Sequence, residues 1–194
     1  MALRTIITEE DELLRKKSKD VKNFGERTHT LLDDMWETMR EFDGVGLAAP
    51  QVGILRRAII VDVTERDQDG KQIDASDAGQ PEGNPAENES PPSADVRKPA
   101  PVNKQGGVRF ELLNPEIIES EGEICEKEGC LSVPGAYVFV KRPARVKVRA
   151  VDRCGNEIVV DGEGMLARAL SHEVDHLEGI LLIDIAEEMD DEPE

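Results

Sequence analysis

The chain has 194 residues, with 24 basic and 42 acidic side chains and a formal net charge of −18. At this length one domain is the default, and it can bury a core without disulfides or metal staples. The acidic balance argues against broad electrostatic binding to nucleic acid, DNA included, or to an anionic membrane, and leaves only a local basic patch open.

The first fourteen residues, MALRTIITEEDELL, carry acids and no sustained apolar stretch, so they do not read as a signal peptide. Runs such as Ala58-Ile59-Ile60 are far too short to span a bilayer. The expectation is a soluble, cytoplasmic protein. Its three cysteines, Cys125, Cys130 and Cys154, are too few and odd in number for a disulfide framework.

Residues 25–42 read as an amphipathic helix, because Leu31, Leu32, Met35, Met39 and Phe42 recur at helical spacing. Trp36 beside that stripe reads as core. GVGLAAPQVG at 44–53 is a Gly/Pro-punctuated loop, and RRAIIVDV at 56–63 a strand with an apolar centre. Residues 65–107 hold six of the eleven prolines and only Ile73, Val96 and Val102 as large aliphatics. Such a segment cannot offset its ordering entropy, and it reads as a disordered or loosely ordered surface insertion. Strand patterns resume at 108–118 and near 122–126, followed by GCLSVPG at 129–135. The alternation of Val138, Val140, Val146 and Val148 marks a strand segment over 137–151, and another strand follows at 157–161. DRCGNE at 152–157 reads as a hairpin turn. A helix is expected from about 163 to 177, ILLID at 180–184 as a short strand, and 186–194 as a frayed acidic tail. Segregated strands and helices predict an α+β fold: a single domain over 1–194, antiparallel strands packed around a central helix.

That helix carries His172-Glu173-Val174-Asp175-His176. On a helix, residues four apart point the same way, so two neutral imidazoles can bind one divalent cation while Glu173 acts on its water. Met165, Ala169, His172 and His176 lie along one stripe, which places the histidines on the buried face. A catalytic site needs a third protein ligand and an open position. The position that supplies a third histidine in extended zincins is Leu182 here, and the 18 residues after His176 contain no second helix pattern. The third ligand must therefore come from upstream, where His29, the cysteines and many carboxylates are candidates. Cys130 is the best placed, between Gly129 and Leu131, with a thiolate as a soft ligand.

Three segments together, GVGLAAPQ (44–51), EGCLS (128–132) and HEVDH (172–176), resemble the signature motifs of the peptide deformylase family. The likeness extends to LLRKKSKDV near the N-terminus, LNPEI (113–117) and KRPARVKVRA (141–150). It covers essentially the whole chain except 65–107 and the acidic tail. It implies Cys130, His172 and His176 as metal ligands, with water or hydroxide in the fourth position. Glu173 would be general base and then general acid, and the bound water would attack the formyl carbon. The Gln51 side-chain amide and the Leu131 main-chain N–H would stabilise the oxyanion. Gly46 would position the substrate backbone. Val45, Met165 and Ala169 are candidate walls of an apolar slot for a methionine side chain, Asp175 and Glu128 supporting residues, and Arg142 a structural or surface charge. The resemblance further implies one divalent ion, Fe(II) physiologically, with Ni, Co or Zn able to substitute. It implies N-formyl-methionyl nascent peptides as substrates, formate as product and transient ribosome contact. The basic C-terminal extension through which some members dock has no counterpart here. The competing readings are a zinc endopeptidase, resting on HEVDH alone, and a non-enzymatic metal-binding protein.

Overall fold

The structure is a computed structural model and describes residues 2–63 and 108–187. The expected insertion at 65–107, and the tail beyond 187, lie outside the described residues. The elements in chain order are α1 (Glu26–Glu41), β1 (Gly46–Ala48), β2 (Ala58–Val63), β3 (Val108–Glu121), β4 (Ile124–Cys130), β5 (Val133–Arg142), β6 (Arg145–Val151), β7 (Glu157–Glu163) and α2 (Gly164–Glu178). Short 3₁₀ turns cover Glu12–Arg15, Ala49–Val52 and Leu182–Asp184. Every strand pairing is antiparallel. Five strands form a sheet in the order β1-β2-β3-β6-β7, and β4 and β5 form a separate pair.

The apolar centre of β2 explains the layering. Successive strand residues face opposite sides of a sheet. Ile59 and Val61 pack with Ala167, Leu170 and Leu177 of α2, whereas Ala58 and Ile60 pack with Leu32, Met35 and Met39 of α1. The sheet therefore separates the two helices, and a strand buried on both faces reads as an unbroken run of apolar residues. α2 contains residues 172–176 and ends at Gly179, whose φ of 79° forms its C-cap. A side chain there would meet the Arg15 carbonyl, because the N-terminal segment passes directly beneath the helix end.

Four expectations need correction. Residues 137–151 are two strands in different sheets, with the chain turning at Pro143 and Ala144 between β5 and β6. ILLID is not a strand: the Asp184 carboxylate accepts the Leu181 N–H at 2.8 Å and closes a 3₁₀ turn. Phe42 leaves the α1 stripe, since it is the C-cap and 51% exposed. The first residues of the expected tail are tied down, with Ala186 bridged to Val140 and Glu187 N–H donating to Phe139 O at 2.8 Å. No helix among the described residues is long and apolar enough to cross a membrane.

Candidate metal centre

β4 delivers the first donor. It ends with a register shift at Gly129 and Cys130, which kinks the strand and turns Cys130 toward α2. One ligand atom from each of Cys130, His172 and His176 falls within 4.8 Å of the others. The Cys130 Sγ to His176 Nε2 distance is 3.3 Å. Two ligands sharing a tetrahedral cation at ordinary metal–nitrogen and metal–sulfur lengths stand about 3.5 Å apart, so the pair fits. His172 offers its Nδ1 to Glu128 Oε2 at 3.2 Å, which leaves Nε2 as its free donor. The other candidate ligands stand apart: His29 Nε2 contacts Arg153 O at 2.9 Å, and Cys125 and Cys154 are exposed.

Glu173 and Gln51 complete the floor. Glu173 is buried, and its Oε2 has no hydrogen-bond partner. Burial pushes its carboxyl up to about 7. Gln51 sits in the 3₁₀ turn after β1, where its side-chain oxygen accepts the Ala48 N–H at 2.8 Å. That bond orients the amide nitrogen toward Cys130 Sγ, 3.5 Å away. Gly46 lies directly against the glutamate: a Cβ there would come within 2.9 Å of Glu173 Cδ and Cγ.

The charged surround is a network that the sequence conceals. Glu128 accepts from Arg142 Nε at 3.2 Å and from His172, and Arg168 Nε approaches it at 3.5 Å. Arg142 also pairs with Asp175, and Arg168 with Glu126. Burial alone would raise the Glu128 carboxyl, but hydrogen bonds from His172 and Arg142 outweigh it and hold the group at about 2. His176 is pushed well below its ordinary value by burial and by the positive charges of His172 and Arg142. Burial would lower His172 as well, yet contacts with Cys130 and Glu128 lift it to about 10. A ligating imidazole is neutral, so binding of a cation would favour the unprotonated ring.

These groups line a cleft of about 660 Å³. Gly46, Gln51, Cys130, Leu131, Ala169, His172 and Glu173 all border it. Val45 and Met165 border it from exposed positions, 44% and 50% accessible, so Met165 leaves the buried stripe expected of it. Arg142 is no surface charge, being only 5% exposed. Sequence reasoning missed Arg168, Phe42 and Tyr137, all on the cleft wall. The available signal for Arg168 was a charged residue between Ala167 and Ala169 on an otherwise buried helix face.

A family model described as polypeptide deformylase matches residues 3–192. The chain belongs to the peptide deformylase family. Peptide deformylases of Alkaliphilus metalliredigens and Caldicellulosiruptor bescii are 46% and 45% identical to it over 184 residues, 95% of this chain and 97% and 86% of theirs. Among solved structures, a peptide deformylase from Legionella pneumophila superimposes with a TM-score of 0.71 at 37% identity, covering 96% of this chain and 87% of that one. A class I type b peptide deformylase from Acinetobacter baumannii with Met-Ala-Ser bound gives 0.72 at 27% identity, covering 95% and 98%. Family membership and the clustered donors agree on a metal-dependent hydrolase.

Proposed function

We propose that this chain, as a single catalytic domain, removes the N-formyl group from the formyl-methionine that begins newly synthesised proteins and releases formate. The observation that carries the reading is the convergence of Cys130, His172 and His176 beside the buried, unpartnered Glu173 in one cleft. In this reading α2 is the central helix, and the reaction takes place in the cytoplasm.

Cys130 Sγ, His172 Nε2 and a His176 ring nitrogen would hold one divalent ion. A thiolate in the donor set suits Fe(II), with Ni, Co or Zn as substitutes. When bound, the ion supplies Lewis acidity and lowers the pKa of water toward about 7. Glu173 takes a proton from the attacking water as the oxygen adds to the formyl carbon. A base poised near the working pH contributes roughly 10²–10⁴-fold. The charge developing on the formyl oxygen is met by the Gln51 amide N–H and the Leu131 main-chain N–H, each worth about 10²–10³-fold. Glu173 then returns the proton to the leaving nitrogen as the C–N bond breaks, and formate and a free α-amine depart. The formyl carbon carries only hydrogen, so no acyl pocket is needed. Gly46 would align the peptide backbone, and Val45, Met165 and Ala169 would wall the methionine slot.

Protein purified without oxygen and supplied with Fe(II) or Ni(II) is expected to release formate from formyl-Met-Ala-Ser. Cleavage of an internal peptide bond without formate would instead favour an endopeptidase, and bound metal with neither product a non-enzymatic metal protein. Glu173→Ala is expected to keep its metal and lose 10²–10⁴-fold in turnover. Unchanged turnover would remove Glu173 from the proton-transfer role.

A further inference from the structure

In the proposed function the two groups that meet the oxyanion come from different sheets. Gln51 lies in the 3₁₀ turn that follows β1, and Leu131 in the turn between β4 and β5. The five-stranded sheet that contains β1 and the β4–β5 pair share no strand pairing. Neither donor is held by a ladder of its own. β1 stops at Ala48, and the last pair of the β4–β5 ladder, Cys130 with Val133, leaves Leu131 and Ser132 as an unpaired turn. Packing supplies one tie, since a Cβ on Gly44 would stand 3.0 Å from Leu131 Cδ1. An oxyanion site needs finer control than that, because its donors must sit about 2.7–3.1 Å from a charge that exists only in the transition state.

The N-terminal segment bridges the gap. Ile7 N–H donates to the Gln51 carbonyl at 2.9 Å, and Glu9 N–H donates to the Ser132 carbonyl at 2.9 Å. Two N–H groups on one short length of chain therefore join the main chain of one donor to the residue that follows the other. Gln51 is 1% exposed and Ser132 wholly buried, so water does not stand in for either N–H. Gln51 is fixed at both ends, its side-chain oxygen by the Ala48 N–H and its main-chain oxygen by the Ile7 N–H. Residues 7–9 belong to no helix or strand, so neither bond is imposed by regular secondary structure. The same segment runs on to α2, where Ser18 N–H donates to the Leu177 carbonyl at 2.8 Å, one residue beyond His176.

We propose that residues 7–9 form a positioning strap for the reaction: the Ile7 and Glu9 main-chain N–H groups set the separation and direction of the Gln51 amide and the Leu131 N–H. This role rests on the proposed function and adds to it residues that touch neither substrate nor metal. The strap acts through main-chain groups, so side-chain truncation leaves it intact and only removal of an N–H breaks it.

The test replaces single amides by esters in the full-length protein, through translation with the matching α-hydroxy acid. An ester deletes one N–H and keeps the side chain. With Ni(II) bound, the esters at Ile7 and at Glu9 are each expected to lower kcat for formyl-Met-Ala-Ser by roughly 10–100-fold, short of the about 10²–10³-fold for outright loss of a donor. KM is expected within about twofold of the parent's, because oxyanion contacts tighten only in the transition state. The ester at Thr8, whose N–H bonds neither loop, is expected to keep kcat within about twofold. In a Gln51→Ala background the Ile7 ester is expected to cost no further kcat, since a group that acts through another is not additive with it. Unchanged kcat in the Ile7 and Glu9 esters, an equal loss in the Thr8 ester, or the full extra loss in the Gln51→Ala background would each overturn the proposal. A second readout needs no turnover. In ¹H–¹⁵N spectra of the Zn(II)-loaded protein, the Gln51 side-chain amide is expected to shift in the Ile7 ester and the Leu131 amide in the Glu9 ester. Both are expected to stay in place in the Thr8 ester, and the same spectra show that each chain is folded. Absence of formate release by the parent would count against the deformylase reading, and unmoved resonances would overturn the strap on their own.

Discussion

A methyl group at position 46 has nowhere to go. The glycine is buried, and a Cβ would sit within 2.9 Å of Glu173 Cδ and Cγ, a separation that real side chains do not reach. The atoms it would strike all belong to the Glu173 side chain, which borders the cleft, so it is the carboxylate that must give way. Gly46→Ala is therefore expected to push the carboxylate aside while leaving the three metal donors in place. Misplacing a reacting group by about 1 Å can cost 10²-fold. Formate-release kinetics are expected to show a fall of that order in kcat with metal content unchanged; loss of metal instead would mean that the helix had moved. Glu128 acts one step further out. It fixes the His172 ring through Nδ1, and such partners typically influence metal affinity 10–100-fold. Glu128→Gln keeps the shape and removes the charge that Arg142 and Arg168 share. Faster metal loss to a chelator is the expected result, and a metal dissociation rate equal to the parent's would show that the ring is held by packing alone.

The N-terminal segment is tied to α1 by a buried carboxylate and by the Thr38 hydroxyl, which accepts the Arg4 N–H at 3.0 Å. Asp34 accepts the Ala2 N–H at 2.7 Å, and Arg4 Nε and Nη2 at 3.1 and 2.8 Å. Burial would raise the Asp34 carboxyl, but the Ala2 N–H and Arg4 more than reverse this and hold it below its ordinary 3.8. A depressed carboxyl stabilises the fold above that ordinary value, and the contribution is lost as pH falls through and below it. Asp34→Asn is expected to cost about 1–3 kcal/mol at neutral pH and to flatten the acid limb of the stability curve. Denaturant titrations at pH 7 and pH 3 check both, and parallel curves for parent and variant would refute the linkage. The staple also shows what could be read from the sequence at this scale. Both long helices announced themselves through spacing, because Leu31, Leu32 and Met35 need only local periodicity. The grouping of Cys130, His172 and His176 as candidate donors could be proposed from the sequence because HEVDH fixes its own geometry and Cys130 sits in a tight segment after Gly129. Partners such as Asp34 with Arg4, or Glu128 with Arg168, are set by which elements meet in space, and no local pattern encodes that. The same holds for 137–151, where valine alternation continues across a change of sheet because both strands have one buried face.

At the level of the whole molecule, the long segment between β2 and β3 interrupts a hairpin without disturbing its register. Val63 at the end of β2 pairs directly with Val108 at the start of β3, and the pairing runs on through Asp62 with Arg109 and Val61 with Phe110. An ion pair between Arg109 and Asp62 at 2.6 Å braces the same end. The register is therefore fixed by residues that belong to the core, since Val61 and Phe110 lie in the cluster beneath α2. Two strands meeting in this way are compatible with a two-residue type I′ turn. Replacing residues 64–107 by Asn-Gly is thus expected to leave the sheet and the distant metal donors intact. Each halving of a flexible loop returns only about 0.6 kcal/mol of closure entropy, so shortening 44 residues to two gains no more than about 3 kcal/mol. The shortened protein is expected to melt at or a few degrees above the parent and to release formate from formyl-Met-Ala-Ser within about twofold of it. A lower melting temperature would mean that the segment contributes contacts to the fold. Unchanged stability with a large change in KM would mean that it reaches the substrate cleft, and would give residues 65–107 a part in recognition that the core does not require of them.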